Sequence, residues 1–211
     1  YSKPENSRSL IIRGAEPDPL FQELANQGFT VVLDAGYLAD HENKEVAEAW
    51  LKRDPTLDGV VYFKEDDQAV VKVRKGVAKR NTLIPVSGTR VREALQKEGH
   101  EPSKLRLGYY FDASHTEAID MVLPPQLRAL YLLIDGVTQP AIAQTLMRMR
   151  GFLDSDKEQR VVWGLTQKLQ QKICGSAPFS GEAIAKWSQE NEKRANGCAT
   201  LLHAYQEIEE M

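Results

Sequence analysis

Cysteine is scarce in this chain: Cys174 and Cys198 are the two in 211 residues. They stand far apart and outside any C-x-x-C or Cys/His spacing, which excludes a disulfide framework and gives no zinc-site pattern. That thiol usage fits a reducing, cytoplasm-type compartment best, with secretion into another cell as the alternative. No apolar run approaches the roughly 20 residues that cross a bilayer, and no signal-peptide core stands at the start, so no membrane partner is expected. An excess of positive charge is also missing. With a net charge of −3 and a pI of about 5.9, the chain as a whole lacks a broad basic face for nucleic acid. Internal repeats and low-complexity tracts are absent. At this length one large domain, or a domain with a helical appendage, buries a core without covalent staples. The opening "YSKPENS" in place of Met, and the ending "YQEIEEM" within a helical pattern, lead us to expect a piece of a longer protein.

What is present is an alternation of strand and helix signals. Pro19 to Asn26 has the pattern of a short helix stopped by Gly28, and the apolar run in "FTVVLDAG" suits a buried strand. In "HENKEVAEAWLKRD", Asn43 is placed to cap a helix whose Val46, Ala49 and Trp50 share a face. "DGVVYFKEDDQAVVKVRK" predicts two strands, Val60 to Phe63 and Ala69 to Val73, joined by an acidic hairpin turn. A capped helix in "SGTRVREALQKEG" follows. Strands in "LRLGYYFDASH" and "RALYLLI", a helix from Pro140 to Arg150 and a strand in "QRVVWGL" complete the pattern. Strands and helices in this order imply an α/β fold with a mostly parallel sheet and helices on both faces. Three regions are expected: a lead-in and short helix over 1–28, the α/β domain over 29–165, and an α-helical extension over 166–211. In the last helix, Ile184, Trp187, Cys198, Leu201, Tyr205 and Ile208 follow three- and four-residue steps interrupted by Asn191 and Arg194, which predicts an arm packed on the α/β domain or on other parts of a longer chain, with a free coiled coil as the alternative.

Two segments carry candidate chemistry, "FDASHTEAIDMVLP" and "QTLMRMRG". On a helix, Ile142, Leu146 and Met149 share one face, Gln144 and Arg148 lie four apart on the opposite face, and Arg150 lies on the flank. Asp112, His115 and Asp120 fall in the loop beyond a strand. In a doubly wound sheet, loops outside the carboxyl ends of the strands build the ligand site. A loop acid near a helix that presents arginine is the pairing a nucleoside triphosphate site uses, because the transferring phosphoryl group develops charge that a guanidinium neutralises.

These segments carry a resemblance. "AIDMVLP" resembles the motif V loop, G-x-D, of superfamily 2 helicases and related ATPases, and "QTLMRMRG" resembles their motif VI, Q-x-x-G-R-x-x-R. "VVLDAGYLADHENKEVAEAWL", "GVVYF", "YYFDASHT" and "QTLMRMRG" also occur in the order found in the helicase-like core of a family of very large, poorly characterised proteins. The resemblance covers about 29–165. It implies a RecA-like domain of the P-loop NTPase type, the second of a pair, with the upstream RecA-like domain of the same chain as partner. It makes Gln144 a nucleotide- or interdomain-contacting residue, Arg148 the first motif VI arginine, Arg150 the candidate arginine finger, and Asp120 the motif V acid that helps hold the ribose or the catalytic water network. His115 and Thr116 match an "HT" pair in the large-protein family without an assigned role. The chain departs from the pattern at Ala118 and Met147, which replace glycines, and in the two-residue spacing of its arginines.

The phosphate-cradling loop G-x-x-x-x-G-K-[ST] occurs nowhere in the chain. The resemblance therefore implies ATP with Mg only alongside an upstream domain, and neither binding nor hydrolysis by this piece alone.

Plainer readings stand beside these. Arginines in a last helical turn also complement the helix dipole. Asp112 and Asp120 suit turns or caps, His115 suits a loop histidine held by its neighbours, and Met147 and Met149 suit core or flank positions. "KVRKGVAKR" gathers Lys72, Arg74, Lys75, Lys79 and Arg80. It is either a solvated strand end and loop or a contact for a nucleic-acid backbone, and the acidic total charge favours the first. A cysteine-hydrolase pairing of Cys174 with His115 finds no nucleophile signature in "KICGSAPFSG".

Overall fold

The computed structural model describes residues 8–25, 27–87, 90–115, 121, 123–147, 149 and 159–209, with side chains to residue 197. Among these residues eight strands form one sheet: β1 (Ser9–Ile11), β2 (Val31–Asp34), β3 (Gly59–Phe63), β4 (Ala69–Val73), β5 (Leu83–Pro85), β6 (Leu107–Phe111), β7 (Leu127–Leu132) and β8 (Gln159–Leu165). Their order is β1-β8-β7-β2-β6-β3-β4-β5. From β1 through β3 every neighbour is parallel, while β4 pairs antiparallel with both β3 and β5. The predicted hairpin is thus present, with register Gly59 to Val73 and Phe63 to Ala69. Among the described residues six α-helices cover the sheet: α1 (Pro17–Leu24), α2 (Asn43–Arg53), α3 (Val91–Lys97), α4 (Gln139–Met147), α5 (Gln167–Cys174) and α6 (Gly181–Glu209).

Strand alternation divides the core in two. On one face Val32, Val60, Tyr62, Tyr110, Leu130, Leu132 and Val162 pack with Leu20, Phe21 and Leu24 of α1 and Val46, Ala47, Trp50 and Leu51 of α2. On the other, Val31, Leu33, Val61, Phe63, Tyr109, Phe111, Tyr131 and Trp163 pack with residues of α3, α4, α5 and α6. Successive side chains of a strand point to opposite faces, so the apolar run of Val31, Val32 and Leu33 in β2 feeds both layers at once. Gly108 shows how tightly α2 sits. A Cβ there would meet the Trp50 ring and Leu57 at 3.1 Å, so a small residue in β6 is what admits the indole.

Several sequence expectations shift. Residues 9–11 and 83–85 are edge strands that the apolar pattern did not announce. β1 joins the parallel array through β8, and α1 packs on α2, so the chain before residue 29 is built into the sheet and its core. Beyond residue 165, Leu169, Ile184 and Trp187 enter the same core as β7 and β8. α2 and α3 begin without side-chain caps, at Glu42 and Arg90. The Asn43 side chain instead reaches 20 residues along the chain to the Phe63 carbonyl.

Candidate functional site

The sheet has a topological switch beside β2. From β2 the chain passes through α2, on one face, to β3. From β6 it runs toward β7, with Met121 buried on the opposite face. Adjacent strands that send the chain to opposite faces leave a crevice at their carboxyl ends. A cleft of about 1270 Å³ lies there, lined by the ends of β2, β3 and β6, the start of α2 and the β3–β4 turn.

Seven acids line the cleft, Asp34, Asp40, Glu42, Glu65, Asp66, Asp67 and Asp112, against Lys44 and Lys64. Asp34, the last residue of β2, is buried. Its carboxylate accepts hydrogen bonds from the backbone N–H groups of Gly36, Tyr37 and Leu38 at 2.9, 2.6 and 3.0 Å and from the Tyr110 hydroxyl at 2.9 Å. Burial pushes its pKa above the ordinary carboxylate value against the pull of these donors. The turn needs Gly36, whose φ of 106° falls where L side chains are strained. Asp34 therefore shapes the cleft floor and has no free acceptor capacity aimed at a ligand.

Asp112, just past β6, organises the next loop. Its Oδ1 accepts from the Ser114 N–H at 2.8 Å, the Ser114 hydroxyl at 2.6 Å and the His115 N–H at 3.0 Å. Its Oδ2 accepts from Asn43 at the start of α2 and lies 2.7 Å from His115 Nδ1. Burial opposes its charge, but hydrogen bonds from Ser114, Asn43 and His115 outweigh that and hold its pKa below the ordinary 3.8. The His115 ring stacks on Phe63, with centroids 4.7 Å apart and planes 12° apart. Its Nε2 lies 3.0 Å from Asp67 Oδ1 in the β3–β4 turn.

Of the residues singled out from sequence, Asp112 and His115 thus come together in the cleft. Gln144 is exposed on α4 and does not line it. On α4, Ile142 and Leu146 are buried, as is Met149 beyond its end, so the apolar face is the one the spacing gave. Met147 is 75% exposed, which excludes a core role for it. Asp120, Thr116, Ala118, Arg148 and Arg150 lie outside the described residues. Their neighbours Met121 and Met149 are both buried in the core beneath α3 to α6. Gln159, at the start of β8, donates to the Pro124 carbonyl at 3.0 Å.

Two of the five basic residues in the 72–80 run are committed within the fold. Arg74 donates to the carbonyls of Leu51, Asp54 and Leu57 at 2.6, 2.9 and 3.1 Å, closing the carboxyl end of α2. Lys72 pairs with Glu48 at 2.9 Å. Lys75, Lys79 and Arg80 are exposed, and Arg80 reaches the Lys97 carbonyl at 3.5 Å. Cys174, the half-buried last residue of α5, does not line the cleft that holds His115, and burial pushes its thiol pKa up. Among the described residues no group of three or more His, Cys, Asp or Glu side chains is placed to hold a metal ion, and no helix is long and apolar enough to cross a membrane. The sequence reading missed Asn43 as a bridge between elements, and it missed Asp67 altogether. An acidic hairpin tip carries no signal for a histidine 48 residues away.

No family model, curated protein or solved structure matches this chain.

Proposed function

We propose that this chain is a RecA-like domain that supplies the arginine half of an ATP site, completed by a P-loop domain elsewhere in a longer helicase-like protein. ATP with Mg is held only when the two halves close, and closure drives remodelling of a partner. The reading rests on the ordered motifs together with one structural observation. Met121, next to Asp120, and Met149, between Arg148 and Arg150, are anchored in a single core on one face of the sheet. Two core residues in one layer, each adjacent in sequence to a motif residue, suit a site that positions a guanidinium against a transferring phosphoryl group when a second domain approaches.

The test is ATP hydrolysis by the longest chain that contains these residues, beside Arg148→Ala and Arg150→Ala. The expected outcome is a loss of about a hundredfold or more in one variant, the order set by removing a transition-state arginine. Equal rates in all three overturn the assignment.

A second reading has its own observation. Met147 stands 75% exposed where the motif has glycine, and shares the exposed side of α4 with Gln144, three residues earlier. A large apolar side chain there suits a RecA-like fold retained as a protein-interaction module. Under it, Met147→Gln weakens partner capture while the arginine variants change nothing.

A further inference from the structure

His115 is 6% exposed, yet its ring has a carboxylate at each nitrogen, Asp112 at Nδ1 and Asp67 at Nε2. The two acids belong to different elements. Asp112 is fixed by Ser114 and Asn43 in the loop after β6. Asp67 sits in the β3–β4 turn with an 86% exposed side chain. A neutral imidazole donates from one nitrogen and turns a lone pair toward whatever faces the other; the imidazolium donates from both. Asp112, held below the ordinary 3.8 by its hydrogen bonds, faces Nδ1, and Nε2 faces Asp67.

We propose that His115 is a pH-sensitive clasp: protonated, it ties the 64–68 turn to the loop after β6, and deprotonated, it keeps Asp112 and releases Asp67. The turn forms one wall of the cleft and its own backbone bonds hold it closed, so the clasp sets where the Asp67 carboxylate sits on that wall. The ring meets Asp112 and Ser114 from its own loop, Phe63 from β3 and Asp67 from the turn. Lys64, Glu65 and Asp66 of the turn, and Asp34, Asp40, His41, Glu42 and Lys44 from the end of β2 to the start of α2, line the same cleft and set its background charge. Asp67 has a φ of 59°, a left-handed conformation that Asn also adopts. Asp67→Asn therefore removes the charge without opposing the turn. The clasp does not depend on the nucleotide reading.

The experiment is an NMR titration of the labelled 211-residue chain from about pH 5 to about pH 9, the range in which histidine changes charge. The turn amides of Glu65, Asp66, Asp67 and Gln68 are expected to shift along the same curve as the His115 ring carbons. In Asp67→Asn the turn amides lose that curve while the ring still titrates, and in His115→Gln the turn loses it as well. Turn amides that stay flat while the wild-type ring titrates overturn the clasp, as does a turn curve that persists in Asp67→Asn. A ring that holds one protonation state throughout overturns it too. Should His115→Gln fail to fold, Asp67→Asn decides, because it alters an exposed side chain alone.

Discussion

At the carboxyl ends of β2, β3 and β6, seven carboxylates line an open cleft; at the opposite end of β3, where Gly59 pairs with Val73, a basic segment folds back onto its own helix. In sequence the 65–67 acids of the cleft and the basic 72–80 segment look alike, as short runs of one sign beside a strand. In the fold they differ in what the charges meet. Arg74 spends its guanidinium on three carbonyls at the end of α2, and Lys72 on Glu48. Among the acids, Asp34 and Asp112 are bound by several donors each, while the rest of the lining leaves the cleft negative. A phosphate chain entering such a cleft meets repulsion unless cations accompany it, and on the basic side three exposed charges remain to grip one. Neither end argues for a broad nucleic-acid track.

The comparison can be broken in three ways. The largest effect is expected at Arg74→Ala, which strips a charged donor from three backbone carbonyls at a helix end. A loss of about 2–4 kcal/mol follows, read as a lower urea midpoint with unchanged slope, and a loss too small to measure would return Arg74 to the free basic surface. Next comes Asp112→Asn at the acidic end, where losing the charge weakens the bonds from Asn43, Ser114 and His115 at about 1–2 kcal/mol near neutral pH. Because Asp112's folded pKa lies below 3.8, its contribution is present above that value and fades as pH falls through the folded one. The stability gap between wild type and variant should therefore narrow as pH falls below 3.8, and a gap constant with pH would mean that packing rather than charge is at stake. The smallest effects belong to the exposed bases. Lys72→Ala, which breaks a half-exposed pair, costs under about 1 kcal/mol, and Lys75→Ala, Lys79→Ala and Arg80→Ala stay within about 0.5 kcal/mol each. If the last three together abolish a salt-dependent shift of RNA or DNA, the basic end is an interface after all.

The same contrast explains what could be read in advance. The face of α4 that buries Ile142 and Leu146 was legible because helix periodicity is local. So was the hairpin of β3 and β4, whose two apolar runs flank an acidic turn. Asp112 and His115 were legible as loop residues past a strand, but their bonding was not. Asn43 looked like a cap by position and turned out to be a strut to Phe63 and Asp112, because strand order brings the end of β6 beside β3 and the start of α2. The edge strands β1 and β5 are three residues each, too short to show a period.

By itself the sequence determined the alternation of strands and helices, the two-sided burial of β2, β3 and β7, and the lack of any phosphate-cradling loop, since each is written in neighbouring residues. Only the tertiary structure decided that Asp67 meets His115 across 48 residues, that Arg74 closes α2, and that the cleft is acidic. Those outcomes depend on which strands lie side by side, and strand order is set by packing of the whole sheet rather than by any local pattern.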